Sequence, residues 1–345
     1  MSVPDALPAA APDPDRSGAA AVSRSIAEVA RLGGRVLDAV EEVVIGKRPA
    51  LELILMALLA DGHVLIDDVP GVAKTLLARS FAQVLGMSFS RVQMTPDVLP
   101  TDLSGALVLD AERALVFRPG PIFANVVLAD EINRATPKAQ SALLEAMEER
   151  QVTIDGTSYP LERPFLVIAT QNPIEFEGTY PLPEAQLDRF LIRTSVGYPT
   201  GDDEWEMVSR RLGRRRDEVV LDPVVDRPEL LALQRAVEEV HVSEAIGRYA
   251  VAIVQATRSS PPLAMGSSPR GTLALVKLAR ARAALAARDF AVPDDVKQVA
   301  IHALGHRVLL QPEAWVRRVD PQGIIAAIVA AVPVPSAAEA IRPQA

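Results

Sequence analysis

The chain has no cysteine among its 345 residues. That excludes a disulfide framework and any thiolate metal site. Histidine is scarce as well, with four in all (His63, His241, His302, His306). Only His302 and His306 share an i,i+4 spacing, and no acid stands beside them in the H-E-x-x-H pattern of a zinc helix, so no metal site is expected there. A basic excess is missing too. The formal net charge of −8 argues against a nucleic-acid partner, because phosphate binding needs a positive surface. No apolar run reaches the roughly 18 residues that span a bilayer, so membrane insertion is not expected. The opening MSVPDALPAAAPDPDRSG carries acids and prolines where a signal peptide needs a basic start and an apolar stretch. The expected location is cytoplasmic. Aromatic residues make up 4% of the chain, and the two tryptophans, Trp205 and Trp315, are expected to be packing residues.

The apolar fraction of 49% is that of an ordinary globular protein, and the length allows two domains. Residues 1–22 are rich in Ala, Pro and Asp without periodicity, which reads as a disordered tail. Helical patterns cover Ser25–Val40 and Pro49–Ala60, the second apolar on nearly every side and hence buried. Short apolar runs then alternate with helical patterns: His63–Asp67, Phe89–Met94, Val126–Asp130, Phe165–Thr170 and Leu191–Val196. Strands alternating with helices imply a parallel sheet covered on both faces. Two hairpins interrupt the alternation, Gly105–Leu109 with Ala114–Phe117, and Gln151–Ile154 with Ser158–Leu161 around Asp155-Gly156. Beyond the turn-rich Tyr198–Gly201 every pattern is helical, with a frayed end over 336–345. The expected division is an α/β unit over 23–199 and an all-helical unit over 200–335.

The chemistry starts at Val69-Pro70-Gly71-Val72-Ala73-Lys74-Thr75, directly after the first apolar run and before the helical Leu76-Leu77-Ala78. A strand, a tight turn, Lys-Thr and a helix make a phosphate-binding loop: backbone N–H groups wrap the phosphates, the lysine neutralises them and the threonine holds Mg²⁺. The match to G-x-x-x-x-G-K-[ST] is imperfect, since Asp68 and Ala73 stand where the glycines belong. Alanine before the lysine implies dihedrals that an L-residue tolerates. For Asp68 two readings stay open, tolerated variation at the strand end or weakened nucleotide affinity. A second acidic site follows, where Val126-Val127-Leu128-Ala129 runs into Asp130-Glu131. Asp130 suits the shell of Mg²⁺ and Glu131 suits deprotonation of an attacking water. Phe165–Thr170 leads into Gln171-Asn172-Pro173, where Asn172 either positions that water or forms a turn with the proline.

These strings together resemble the MoxR branch of the AAA+ ATPases. The resemblance includes Pro70-Gly71-x-x-Lys74-Thr75, Asp130-Glu131-Ile132-Asn133-Arg134-Ala135 and Ala169-Thr170-Gln171-Asn172-Pro173. It extends to Gln93–Asp102, to Glu177–Phe190 and to Ser268-Pro269-Arg270, and runs from about residue 23 to 335. It implies an α/β P-loop NTPase fold of three layers with a helical lid, and ATP and Mg²⁺ as cofactors. It places Ile45-Gly46 beside the adenine and Pro70 to Leu76 (Pro70, Gly71, Val72, Ala73, Lys74, Thr75, Leu76) around the nucleotide. Thr75 and Asp130 become metal-binding, and Lys74, Glu131 and Asn172 catalytic, with Asn172 as sensor 1. Arg189 becomes the arginine finger, reaching the next subunit's γ-phosphate, and Arg270 becomes sensor 2. The alternatives for these arginines are an ion pair of Arg189 with Asp188 and a surface role for Arg270 at a helix start. Arg134 and Arg150 are further candidates for a subunit interface.

The function so implied is ATP hydrolysis in a homo-oligomeric ring, a hexamer by resemblance. The work done is chaperone-like remodelling of a partner carrying a von Willebrand factor A domain. The hairpins would either meet partners or merely finish the sheet edge, and the amphipathic Ser141–Arg150 would pack and contact a subunit. Rival readings are a chelatase-type or nucleic-acid motor subunit, and a nucleotide-gated scaffold with little turnover. A small-molecule kinase is disfavoured, since it leaves the two arginines unexplained.

Overall fold

The computed structural model describes residues 25–111, 113–172, 178–215 and 219–336. The expected tail over 1–22, most of the frayed end over 336–345, and Pro173 and Glu177 lie outside these residues. Helix α1 (Ile26–Glu41) starts at a reciprocal cap in which Ser25 and Glu28 bond each other's backbone N–H. Helix α2 (Arg48–Leu59) opens with Pro49 in its first turn and buries every residue from Leu53 to Leu59. The α/β part continues as β1 (His63–Asp67), α3 (Lys74–Val84), β2 (Phe89–Gln93) and a short α4 (Pro100–Ser104). The first hairpin is β3 (Gly105–Leu109) with β4 (Leu115–Pro119), followed by β5 (Val126–Asp130) and α5 (Pro137–Glu149). The second hairpin is β6 (Gln151–Ile154) with β7 (Thr157–Pro160), then β8 (Leu166–Gln171), α6 (Glu184–Leu187) and β9 (Phe190–Thr194).

The five main strands form one parallel sheet in the order β2-β5-β8-β1-β9. The three inner strands are buried on both faces, which is why they read as unbroken apolar runs. Alternate residues still go to different cores. Val64, Ile66, Val126, Leu128, Leu166 and Ile168 pack with α1, α2 and α3, while Leu65, Val127, Ala129, Val167 and Ala169 pack with α5. The hairpins meet each other through Phe117 stacked on Tyr159, ring centroids 4.1 Å apart.

The helical part is α7 (Gly201–Arg214), α8 (Arg227–Glu238), α9 (Glu244–Arg258), β10 (Leu263–Met265) and α10 (Pro269–Leu285). It continues with α11 (Pro293–Leu304), β11 (Leu309–Leu310), α12 (Pro312–Val316) and α13 (Pro321–Ala331). The expectation of helices alone needs one addition, the small antiparallel pairing of β10 with β11. The lid is not a loose appendage, because its α10 packs on α1. A Cβ on Gly33 of α1 would lie 2.4 Å from Leu285 Cδ2, so a larger residue there would have to push the Leu285 side chain aside.

The tryptophans correct the expectation of packing. Trp205 is 66% exposed and Trp315 is 72% exposed. Helix α7 buries none of its residues, so the outer face that carries Trp205 finds no cover within one chain. Arg210 of this helix donates to the carbonyls of Glu41 and Glu42 at the end of α1.

Candidate active site

Strand β1 delivers the chain to Asp68, and the turn beyond it reverses through Gly71 at φ +85° and Ala73 at φ +59° into α3. Ala73 therefore sits in the left-handed region rather than in dihedrals comfortable for an L-residue, a strain of about 1–2 kcal/mol that glycine would not carry. The Lys74 ammonium donates to the Asp68 carbonyl at 2.7 Å. Burial lowers its pKa from the ordinary lysine value, against the opposing pull of Asp68, Asp130, Asp67 and Glu131.

The Asp68 carboxylate is turned away from the loop. Its Oδ2 accepts from the backbone N–H groups of Val196 and Gly197, each at 2.6 Å, and its Oδ1 accepts from Val69 N–H at 2.9 Å. The residue is 7% exposed. Three amide donors compensate the buried charge, so the carboxylate joins the phosphate loop to the segment that leads into the lid.

A cavity of about 480 Å³ opens at the carboxyl ends of the strands. It is lined by Pro70, Gly71, Ala73, Lys74, Thr75 and Leu76 of the loop and by Asp130, Glu131, Asn172 and Arg91 of the strands and their ends. A second, more apolar cavity of about 410 Å³ shares Gly71 and Ala73 with it, and is walled by Ile45, Val72, Val196, Tyr198 and Met207. Gly46 lies beside this wall at φ +70°, and a Cβ there would collide with the Asp203 carboxylate at 2.3 Å. A polyanion cavity joined to an apolar one suits a nucleoside polyphosphate. Among the described residues no cluster of three or more His, Cys, Asp or Glu could cage a metal. Mg²⁺ does not need one, because it is ordinarily held by one or two protein oxygens together with substrate phosphates. Thr75 and Asp130, which both line the cavity, fit that role.

The acids are held from two neighbouring strands. Thr170 on β8 donates to Asp130 Oδ1 at 2.6 Å and accepts the Glu131 N–H at 2.8 Å. Arg91 on β2 donates to Asp130 Oδ2 through Nε at 3.2 Å and Nη2 at 2.7 Å. Gln93, two residues on and so on the same face of β2, donates to Glu131 Oε2 at 2.8 Å. Glu131 itself sits at φ +58°, a strained position of the kind found at working sites. Sequence reasoning missed Arg91, Gln93 and Thr170. A usable signal existed, since the period-2 face of β2 puts Arg91 and Gln93 together beside β5.

Among the described residues, neither Arg189 nor Arg270 lines the phosphate cavity. Both line a separate cavity of about 300 Å³ with Glu148, Arg150, Lys277 and Arg307. Glu148, near the end of α5, bonds both arginines, Arg189 Nε at 2.8 Å and Arg270 Nη2 at 2.5 Å. The two arginines hold its carboxyl below the usual range, Arg270 most. Arg189 thus pairs with Glu148, while Asp188 pairs with Arg307. Of the other interface candidates, Arg134 lies 3.4 Å from Glu131 Oε2. Arg150 is held inside by the carbonyls of Phe165 and Asp61.

Three of the four histidines bond the backbone with their rings. His63 accepts the Val167 N–H at 3.0 Å and donates to the Met147 carbonyl at 3.1 Å, and burial pushes its pKa down to about 3, assisted by Arg150. His302 and His306 bond carbonyls of β9.

Residues 63–192 match the ATPase family associated with various cellular activities (AAA), and residues 255–328 match the AAA lid domain. The uncharacterised Bacillus subtilis protein YeaC is 47% identical over 90% of this chain and 97% of its own length. Chaperone MoxR1 of Mycobacterium tuberculosis is 42% identical over 87% of this chain and 82% of its own. The crystal structure of a candidate ATPase from Cytophaga hutchinsonii superposes with a TM-score of 0.85 at 37% identity, over 90% of this chain and 97% of that one.

Proposed function

The chain belongs to the MoxR family of AAA+ ATPases, and from that premise we propose that it hydrolyses Mg·ATP in a homo-oligomeric ring to remodel a partner protein. One observation carries this reading. Lys74, Thr75, Asp130, Glu131 and Asn172 share one cavity, whereas Arg189 and Arg270 share another. Each chain then offers two half-sites, and a whole site forms where one chain's arginines face the next chain's phosphates.

The base lies in the apolar cavity against Ile45 and Val72, and the phosphates lie over Gly71 to Thr75. Lys74 neutralises the β- and γ-phosphates. Thr75 and Asp130 would hold Mg²⁺, which would supply positive charge against the phosphoryl oxygens. Glu131 accepts the proton of the attacking water, and Asn172 orients that water toward the γ-phosphorus. Arg189 of the neighbour offsets the charge that develops on the transferring group, an effect of about 10³–10⁵ in rate where such a finger operates. Arg270 joins it from the lid, so that lid position and hydrolysis report on each other. A hexamer, and a partner with a von Willebrand factor A domain, are the assembly and client proposed. The exposed Leu109 and Leu115 at the end of hairpin β3–β4 suit a contact with such a client.

The test is steady-state Mg·ATP hydrolysis against protein concentration for wild type, Glu131→Gln and Arg189→Ala. Specific activity should rise with concentration, both variants should lose it, and Glu131→Gln should still bind ATP. A wild type that binds ATP yet turns over no faster than the variants would instead favour a nucleotide-gated scaffold.

A further inference from the structure

Strand β9 is an outer strand of the sheet, so its outward carbonyls need partners. The lid supplies them. His306 Nε2 donates to the Phe190 carbonyl at 2.9 Å, and His302 Nδ1 lies 3.3 Å from the Arg193 carbonyl. Arg307, 7% exposed, does more. Its Nη2 donates to the carbonyls of Phe190 at 2.7 Å and Asp188 at 3.1 Å, and its Nη1 to those of Leu191 at 3.2 Å and Ala303. Its Nε donates to the Asp188 carboxylate at 2.6 Å. The other oxygen of that carboxylate accepts from Ser268 Oγ at 2.9 Å, and Ser268 is the residue that caps α10.

Asp188 is the residue before Arg189. The finger therefore rises from a backbone in which the carbonyls of Asp188 before it and of Phe190 and Leu191 after it are held by one guanidinium of its own lid. A guanidinium fork fixes direction as well as distance, which an ammonium in the same place cannot do. We propose that Arg307, through Asp188 and the start of β9, is the positioning residue that aims Arg189 at the neighbouring chain's nucleotide. The lid of one subunit then sets the hydrolysis rate in the next. This rests on the reading of Arg189 as a finger acting between chains.

The test uses Arg307→Lys and the milder Asp188→Asn in the full-length protein, with Arg189→Ala as control. Arg307→Lys should bind ATP with wild-type affinity and keep its KM while kcat falls about 10²-fold, the scale expected when a reacting group is displaced by an ångström. Asp188→Asn should fall in the same direction by less. The decisive readout is mixing. Arg307→Lys keeps an intact Glu131 and Glu131→Gln keeps an intact finger, so mixed assemblies should recover activity that neither variant has alone.

Wild-type turnover in Arg307→Lys, with Arg189→Ala inactive, overturns the proposal and leaves the ATPase reading standing. An inactive Arg307→Lys that mixing fails to rescue also overturns it, because the damage then lies in its own nucleotide site. Activity in Arg189→Ala removes the finger itself and the proposal with it. Should Arg307→Lys fail to fold, Asp188→Asn decides by the same mixing assay.

Discussion

Arg91 and Asp130 are joined across β2 and β5 by a two-pronged bond in which the guanidinium engages Asp130 Oδ2 from both Nε and Nη2. That oxygen belongs to the carboxylate proposed for Mg²⁺, and Arg91 lines the same cavity. Guanidinium and metal would therefore compete for one acceptor. The pair is partly exposed, with the Arg91 side chain 46% accessible, so its strength is about 1 kcal/mol or less. Arg91→Ala should lower the half-saturating Mg²⁺ concentration for ATP hydrolysis by up to about fivefold. Titration of activity with free Mg²⁺ at fixed ATP reads this directly, and a higher Mg²⁺ requirement would count against competition.

Asp68 makes a contrary prediction to the one its motif position suggests. A carboxylate that merely repelled phosphate could be removed with a gain in ATP affinity. Here removal strands the N–H groups of Val196 and Gly197, both of which donate to Oδ2 of that side chain. Asp68→Ala should lose about 2–3 kcal/mol of stability and should not bind ATP more tightly. Urea unfolding and a nucleotide-binding isotherm check both halves. Tighter binding without loss of stability would restore the repulsion account.

The buried histidines give the stability a pH slope. Burial holds His63, at about 3, and His306 below the ordinary imidazole value, with Arg150 and Arg307 respectively acting in the same direction. Their folded-state values thus lie below the unfolded one of about 6.5, so the unfolded chain takes up the proton first as pH falls. Stability is full above about pH 6.5 and is lost progressively below it. For His63 the loss between pH 7.5 and 5.5 should be on the order of 1 kcal/mol, and His306 should act in the same direction. His306→Gln keeps a donor for the Phe190 carbonyl but cannot titrate. Urea midpoints at the two pH values should lie closer together in that variant, and an unchanged gap would show that His306 does not contribute.

The parts legible in the sequence are those where burial is symmetrical or chemistry is local. Val126–Asp130 reads as a strand with two acids because both faces are covered, and Lys74-Thr75 reads as a phosphate loop because strand, turn and helix are contiguous. Boundaries that depend on distant partners were less legible. The strand expected over Leu191–Val196 runs over Phe190–Thr194, since the N–H groups of Val196 and Gly197 go to Asp68 rather than to a neighbouring strand. The helix expected from Ser141 starts at Pro137, after a Thr136 cap that the sequence displays openly. Arg91, Gln93 and Thr170 gain their roles from the register of parallel strands. Glu148 gains its role from a lid helix more than a hundred residues away along the chain, and no local pattern announces either arrangement.

The grip of the lid on β9 also limits how the molecule can move. A lid that swung clear would leave the carbonyls of Phe190, Leu191 and Arg193 facing water on a bare outer strand, and would unpair a guanidinium seated among them. A bared strand of this kind is a template for pairing with another chain. In the proposed ring, the working stroke would then be a shallow pivot that carries the strand with the lid, rather than a hinge that parts them. Each subunit would pass on a change of angle at the shared boundary, and the ring would work by small tilts handed from one member to the next.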